Sequence, residues 1–322
     1  MERILITGAS GYIGRQFTAR CARRLGTDIE HIVATDLRPP DEPLDGVVYH
    51  EGDIRSDAIP ALVRDHGITT VAHLAAVISI AGSIPRHIEY DIDVNGSLNV
   101  IQACLDHGVR RFITTSSGAA YGYWPSNARM RLTEDMPMRG SDDIPYSQHK
   151  WLIEEKLQAL RTSHPDLEQY VFRVGTILGE TTRNPITDYL STDRILVFSG
   201  YASEFVIIWD QDLLDLLDRA VTGDGRPGVY NVAGDDPRDP RDLARIMGKD
   251  VRELPPTLAR WALSVLHPLR LAPYPPAQIK FITYRPVLDN TKLKTEFAFT
   301  PRKTSEEAFR IWWGANRPSQ TT

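Results

Sequence analysis

Short apolar runs alternate with helix-patterned stretches from residue 3 to residue 179, and this alternation narrows the possible folds more than any other feature. "RILIT" (3–7), "HIVATD" (31–36), "VVYHEGD" (47–53), "TTVAHLAA" (69–76), "RRFITTSS" (110–117) and "QYVFRVGTILG" (169–179) read as strands. Between them, residues 14–26, 91–108 and 146–164 carry helical spacing. Continuously apolar strands must be covered on both faces, and only crossover helices can join parallel neighbours. The pattern therefore predicts an α/β chain with a doubly wound parallel sheet of Rossmann type. After residue 179 the alternation breaks. Residues 180–193 ("ETTRNPITDYLSTD") read as polar and irregular, 203–221 as a strand entering a helix, and 228–234 as a strand. Residues 254–286 are apolar and rich in proline. The expected division is a nucleotide-binding domain at 1–178, to which 203–234 partly returns, and a smaller C-terminal substrate lobe at 179–202 and 235–322.

Several function classes are excluded at this stage. The chain has 322 residues and a formal net charge of −5. It carries no basic run, so nucleic acid is not expected as a partner. Its two cysteines, Cys21 and Cys104, form neither a zinc spacing nor a disulfide framework, and packing is their expected role. No metal site is expected. No stretch has the length of uninterrupted apolar residues that a membrane span needs, and the N-terminal apolar run meets a glycine loop too early for a signal sequence. The expected location is cytoplasmic.

The first strand runs into "ITGASGYIG", which places Gly8, Gly11 and Gly14 at G-x-x-G-x-x-G spacing before a helix. Glycines there let the backbone approach a pyrophosphate, and a helix N-terminus supplies free N–H groups and positive dipole. Asp36 ends the second strand, where a carboxylate can accept the ribose hydroxyls and repel a 2′-phosphate, which favours NAD over NADP. Leu37 and Arg38 follow, and Arg38 could soften that preference. Asp53 and Ile54 after the third strand could meet the adenine amino group and ring. "HLAA" closes the fourth strand with Leu74, Ala75 and Ala76, small enough to let a cofactor lie close.

Tyr146 and Lys150 stand at i and i+4 and share one face of the long helix. A lysine ammonium beside a phenol favours the phenolate and makes Tyr146 a usable acid/base. Ser117 ends the fifth strand at the carboxyl edge of the sheet, where its hydroxyl can hold a substrate oxygen; Ser116 and Thr115 in the same "TTSS" run are the alternatives. Lys150 can also reach a nicotinamide ribose. Asn95 could anchor a proton-relay water.

These segments together resemble the extended short-chain dehydrogenases/reductases, the NAD-dependent epimerase/dehydratase family. The matching stretches are "TGASGYIG", Asp36, "GDI" (52–54), "HLAA", "VNGSLNV" (94–100), "TSSGAAYG" (115–122), Tyr146-x-x-x-Lys150, "FRVGTILG" (172–179), "GVYNVAGD" and "LDNTKLKTEFAFTP" (288–301). The resemblance implies bound NAD, a Ser-Tyr-Lys catalytic set, a C-terminal substrate lobe and a homodimer formed through the helices near 91–107 and 146–163. It also implies cofactor contacts at Ser10, Tyr12, Ile13, Thr115, Val174 and Ile177, and substrate contacts at Ser117, Tyr146 and Thr176. The chain departs from the sugar-nucleotide members in two places. Thr176 stands where they usually carry asparagine, and "SEFVIIWDQD" lacks the arginine they often place before that segment. Gly118 and Ala119 follow Ser117 in place of an acidic pair, which argues against a dehydratase. Two activities remain. One is NAD(H)-dependent oxidoreduction of a small-molecule secondary alcohol or ketone, for which the apolar 254–286 stretch could form a pocket wall; ordinary lobe packing and an amphipathic membrane-contact helix at 257–267 are the alternative uses of that stretch. The other is nucleotide-sugar 4-epimerisation with NAD that is not consumed.

Overall fold

The computed structural model describes residues 1–77, 84–127, 130–272 and 275–317. Positions 273–274 of the apolar stretch and 318–322 of the expected lobe lie outside the described residues. The chain begins with β1 (Glu2–Thr7), α1 (Tyr12–Ala22), β2 (Ile29–Asp36), β3 (Val47–Glu51), α2 (Ala58–Asp65) and β4 (Thr70–His73). Next come α3 (Arg86–Tyr90), a π-turn (Asp91–Asn95), α4 (Gly96–Asp106), β5 (Arg111–Ser117), a short β6 (Arg131–Leu132), α5 (Pro145–Ser163) and β7 (Glu168–Val174). Beyond β7 the chain forms β8 (Thr176–Leu178), α6 (Pro185–Ser191), β9 (Arg194–Phe198), β10 (Ile207–Trp209), α7 (Asp210–Thr222) and β11 (Gly228–Val232). Then follow α8 (Pro240–Met247), β12 (Asp250–Leu254), α9 (Pro256–Leu266), α10 (Gln278–Thr283), β13 (Val287–Leu288), α11 (Thr291–Thr295) and α12 (Ser305–Asn316).

Strands β1 to β5 and β7 join one parallel sheet in the order β3-β2-β1-β4-β5-β7, and β11 extends it to seven strands beyond β7. Winding reverses between β1 and β4, which opens a crevice at the carboxyl ends of these two strands. Alternate residues of each strand feed opposite cores. Ile4 and Ile6 of β1 pack with Phe17, Phe172, Leu213 and Leu217 on one face. Leu5 packs with Val71, Phe112, Leu157 and Val171 on the other. Cys21 and Cys104 are buried and free, and burial pushes both thiol pKa values up, so neither has thiolate character. Parallel pairs β8/β10 and β9/β12, with α6, α8 and α12, enclose a separate core of Leu178, Leu190, Ile195, Phe205, Leu243, Phe309 and Trp312.

Three expectations change. The single strand over 169–179 is two, broken at Gly175, where a Cβ would lie 2.8 Å from Val206 O. Only glycine lets the chain leave the main sheet there, and β8 pairs with β10 instead. The strand over 69–76 ends at His73, because Leu74 and Ala75 turn against Gly8. Residues 180–193 are not irregular throughout. Asn184 caps α6 by accepting from Ile186 N (2.9 Å) and Thr187 N (3.0 Å), while its own N–H donates to Thr187 Oγ1. Pro185 fills the first helical position.

Candidate functional site

The glycine turn sits at the reversal of winding. Gly8 has φ +72°, and a Cβ there would come within 2.6 Å of Ala75 N, so the turn and the end of β4 touch backbone to backbone. A Cβ on Gly14 would fall inside the van der Waals shell of Gly8 O. Gly11 is different: a Cβ would meet only Gly8 O, at 3.2 Å, leaving the outer side of the turn open. Gly11 N-caps α1 without a side-chain cap, so the first N–H groups face that open side. Ile13 and Leu74 lean on the sheet core. Tyr12 does not point along the turn. Its hydroxyl donates to Asp210 Oδ2 at 2.6 Å, pinning α1 to α7.

Asp36 is drawn into the same turn. Its Oδ2 accepts Ser10 N (3.0 Å) and its Oδ1 accepts Leu37 N (2.7 Å). Each oxygen keeps a further lone pair for a ligand hydroxyl. Ser10 Oγ donates to Arg38 O, so Arg38 is tied by its backbone while its side chain is exposed. Asp53 is engaged by Arg55, which reaches both carboxylate oxygens and also Asp91 (2.6 Å). These hydrogen bonds hold the Asp53 carboxyl below its usual pKa. Ile54 is buried against Gly96. Ala76 is exposed at the crevice rim.

The structure sets Lys150 beside Tyr146 and ties the segment after Ser117 to the start of α5. Ser117 caps the 3₁₀ turn Gly118–Tyr121 by accepting Ala119 N at 3.1 Å. Ser147 Oγ donates to Ala119 O at 2.6 Å, which fastens the first turn of α5 to that segment. Lys150 is buried, its Nζ donates to Thr115 O at 3.0 Å, and it lies 5.7 Å from the centroid of the Tyr146 ring. Behind them, Glu154 accepts from Ser116 Oγ and pairs with Arg173 (2.9 Å), whose Nη1 donates to Tyr121 Oη at 2.7 Å. Ser116 therefore faces this brace and not the crevice.

Asn95 is not part of the cluster. Its amide lies on the exposed helix face and donates to Asp91 Oδ1 at 2.9 Å. The π-turn shifts the helical phase, and Asp93 occupies the inward position. Asp93 accepts Val77 N (2.8 Å) and pairs with His149 Nδ1 (3.0 Å), one residue before Lys150. A cleft of about 290 Å³ opens beside that histidine, lined by Arg86, His87, Tyr90, Asp142, Pro145 and Gln148.

A model of the NAD dependent epimerase/dehydratase family matches residues 4–233. The chain belongs to that family. Among curated relatives, an uncharacterised protein of Mycobacterium tuberculosis is 26% identical over 314 residues, covering 95% of this chain and 82% of its own. A UDP-glucose 4-epimerase of Klebsiella pneumoniae is 34% identical over 134 residues, covering 38% of this chain and 94% of its own. The fold is that of the Thermus thermophilus UDP-glucose 4-epimerase solved with NAD (TM-score 0.74, 21% identity, 98% and 99% of the two chains).

The residues present fit the family's cofactor. Gly11 leaves the outer side of the turn open, α1 starts without a side-chain cap, and Asp36 keeps spare lone pairs beside Ser10 N. Val174 is buried at the end of β7, and Ile177 in β8 packs against the same core.

One site residue escaped the sequence reading. Arg285, between α10 and β13, donates from Nη2 to Thr176 Oγ1 at 3.1 Å. Its guanidinium stacks on Phe205 (4.0 Å) and Phe281 (4.8 Å). Its Nη1 is closed off from solvent and has no partner among the described residues. Burial pulls its pKa down, and no carboxylate among its neighbours offsets that loss of hydration. Tyr123 lies in the same cluster as Tyr146 and Phe281, and so links Arg285 to the tyrosine. In the sequence it is one of four basic residues in the apolar 254–286 stretch, with nothing to set it apart from Arg260, Arg270 and Lys280.

Proposed function

We propose that the protein transfers a hydride between NAD and a secondary alcohol or ketone whose substrate carries an anionic group, with Tyr146 as acid/base. The observation that carries this reading is Arg285. A guanidinium with a buried, unpaired N–H group is costly unless something completes it, and an anion is the natural complement. Thr176, at the other end of the Arg285 hydrogen bond, then belongs to the substrate pocket.

NAD, when bound, supplies the hydride acceptor or donor. Gly8, Gly11 and Gly14 with the start of α1 would hold its pyrophosphate, and Asp36 the adenosine ribose. In the oxidative direction the Tyr146 phenolate takes the alcohol proton as the carbonyl forms; in reduction it returns that proton. Lys150, fixed by Thr115 O, keeps a positive charge beside the phenol. Ser117 Oγ holds the substrate oxygen. The sheet domain, 1–178 with 203–234 partly returning, binds the cofactor, and the lobe at 179–202 and 235–322 binds the substrate. A cytoplasmic homodimer through α4 and α5 completes the reading.

Nucleotide-sugar 4-epimerisation is the second reading. It is favoured by the likeness to the two epimerases, and a diphosphate would also satisfy Arg285. Retained cofactor separates the two. Protein purified without added NAD is denatured and the released NAD quantified: near-stoichiometric NAD supports epimerisation, and an empty protein that binds NAD reversibly supports a dehydrogenase. Tyr146→Phe is expected to keep NAD binding and lose turnover; a near-normal rate would remove Tyr146 from the mechanism.

A further inference from the structure

Helix α9 has apolar residues on both its faces. Pro256, Ala259, Leu263 and His267 face inward and are only partly covered. The opposite face shows Leu258 (52% exposed), Trp261 (67%) and Val265, at i, i+3 and i+7, directly to solvent. The turn after the helix continues this face with Leu269 and Leu271 (71%). No residue of α9 is buried. Isolated exposed leucines are ordinary, but a contiguous stripe that includes a tryptophan marks a surface that something covers.

The charge pattern selects the occupant. The chain as a whole has a formal net charge of −5, yet from Leu254 to Leu288 it contains no Asp or Glu. Arg260 and Arg270 are both exposed, Arg260 on the flank of α9 away from the stripe and Arg270 between the two exposed leucines of the turn, and neither is in a salt bridge among the described residues. The nearby carboxylates are taken: Glu253 by Arg241 (3.1 Å) and Asp143 by Lys280 (2.6 Å). An apolar stripe with tryptophan, on a segment that carries exposed arginines and no acid from Leu254 to Leu288, matches an anionic lipid surface. A protein partner would not require the acids to be cleared so completely. A second copy of the chain is already expected at α4 and α5. α9 is 11 residues long, and no helix among the described residues is long and apolar enough to cross a membrane, so the contact lies in the interfacial plane.

We propose that α9 and the turn after it, 256–272, form a peripheral docking surface for anionic membranes. The site is independent of the reaction assigned to the crevice. Vesicle flotation of the full-length protein tests it, using phosphatidylcholine vesicles with and without phosphatidylglycerol at low ionic strength. Binding to the anionic vesicles is expected to be roughly 30-fold tighter, the contribution of two arginines, with a blue shift of tryptophan emission. Leu258→Ser/Trp261→Ser is expected to lower binding by at least about tenfold through lost apolar area. Arg260→Glu/Arg270→Glu is expected to abolish the preference for anionic lipid. Melting temperature and NAD binding serve as checks on folding. Wild-type protein that stays off anionic vesicles overturns the proposal, as does an Arg260→Glu/Arg270→Glu variant that floats like wild type. Self-association that disappears in the serine variant, without vesicle binding by wild type, assigns the stripe to a second copy instead.

Discussion

Replacing Arg173 by leucine would test the brace behind β5, the strand that ends in Ser117. In the wild type both side chains of the Arg173–Glu154 pair are almost fully buried, at 4% and 2% exposure. Burial opposes the charge on Arg173, but Glu154 and Tyr121 outweigh it and raise the guanidinium pKa. Removing the arginine strands a buried carboxylate, for which about 3–5 kcal/mol of stability is lost. Tyr121 Oη loses a donor as well, worth about a further 1 kcal/mol. Glu154→Leu strands the guanidinium and is expected to cost a similar amount. The double leucine variant removes both charges, so its loss should fall at least about 2 kcal/mol short of the sum of the singles. Chemical denaturation of the four proteins closes the cycle. Additive singles, or a loss under about 1 kcal/mol for Arg173→Leu, would refute the view that this pair is a buried, tightly coupled brace.

Other perturbations probe separate parts of the site. Gly14→Ala forces a Cβ into Gly8 O, costs about 1–3 kcal/mol by overpacking, and should abolish NAD binding in calorimetric titration. Asp36→Asn removes the negative charge from the ribose site and should narrow the NAD-over-NADP preference by roughly tenfold or more; an unchanged ratio of dissociation constants contradicts the assigned role. His73 is fully buried between Thr7 Oγ1 (2.8 Å) and Ser97 Oγ (2.9 Å). Burial, reinforced by the Lys150 charge, lowers its pKa to about 3. Only the unfolded chain takes up that proton as pH falls from 6.5 towards 3, so stability should drop by up to about 1.4 kcal/mol per pH unit in that window. His73→Gln should flatten the slope, measured by denaturation at stepped pH.

Much of the sheet was legible because its strands are continuous apolar runs, and the glycine turn because its spacing is local. Tyr146 and Lys150 lie one helical turn apart, so their pairing follows from chemistry within a single element. Asn95 misled because its assignment assumed regular helix, whereas the π-turn at Asp91–Asn95 moved the inward position to Asp93. Helix α6 was hidden because its start depends on the Asn184 cap more than on apolar period. Arg285 and the Glu154–Arg173 pair were out of reach for a different reason. Thr176 and Arg285 are 109 residues apart, and no periodicity connects positions that only the folded chain brings together.

The break at Gly175 limits how the two lobes can move. The backbone crosses from sheet to lobe within one residue there, and crosses back where β10 runs directly into α7. Ser305 at the start of α12 adds a cross-tie: its Oγ accepts Ile207 N (3.1 Å) and donates to Gly234 O (3.2 Å). With several short, hydrogen-bonded crossings, no single pair of residues can serve as a free axle. Opening by rigid rotation of the lobe would strain these crossings and the two-residue pairing of β13 with β6. Ligand exchange is then expected to proceed by small sliding of packed elements or by movement of the segments that rim the crevice. The rate of product release should then respond to changes in those rim segments and hardly at all to changes in the interlobe backbone.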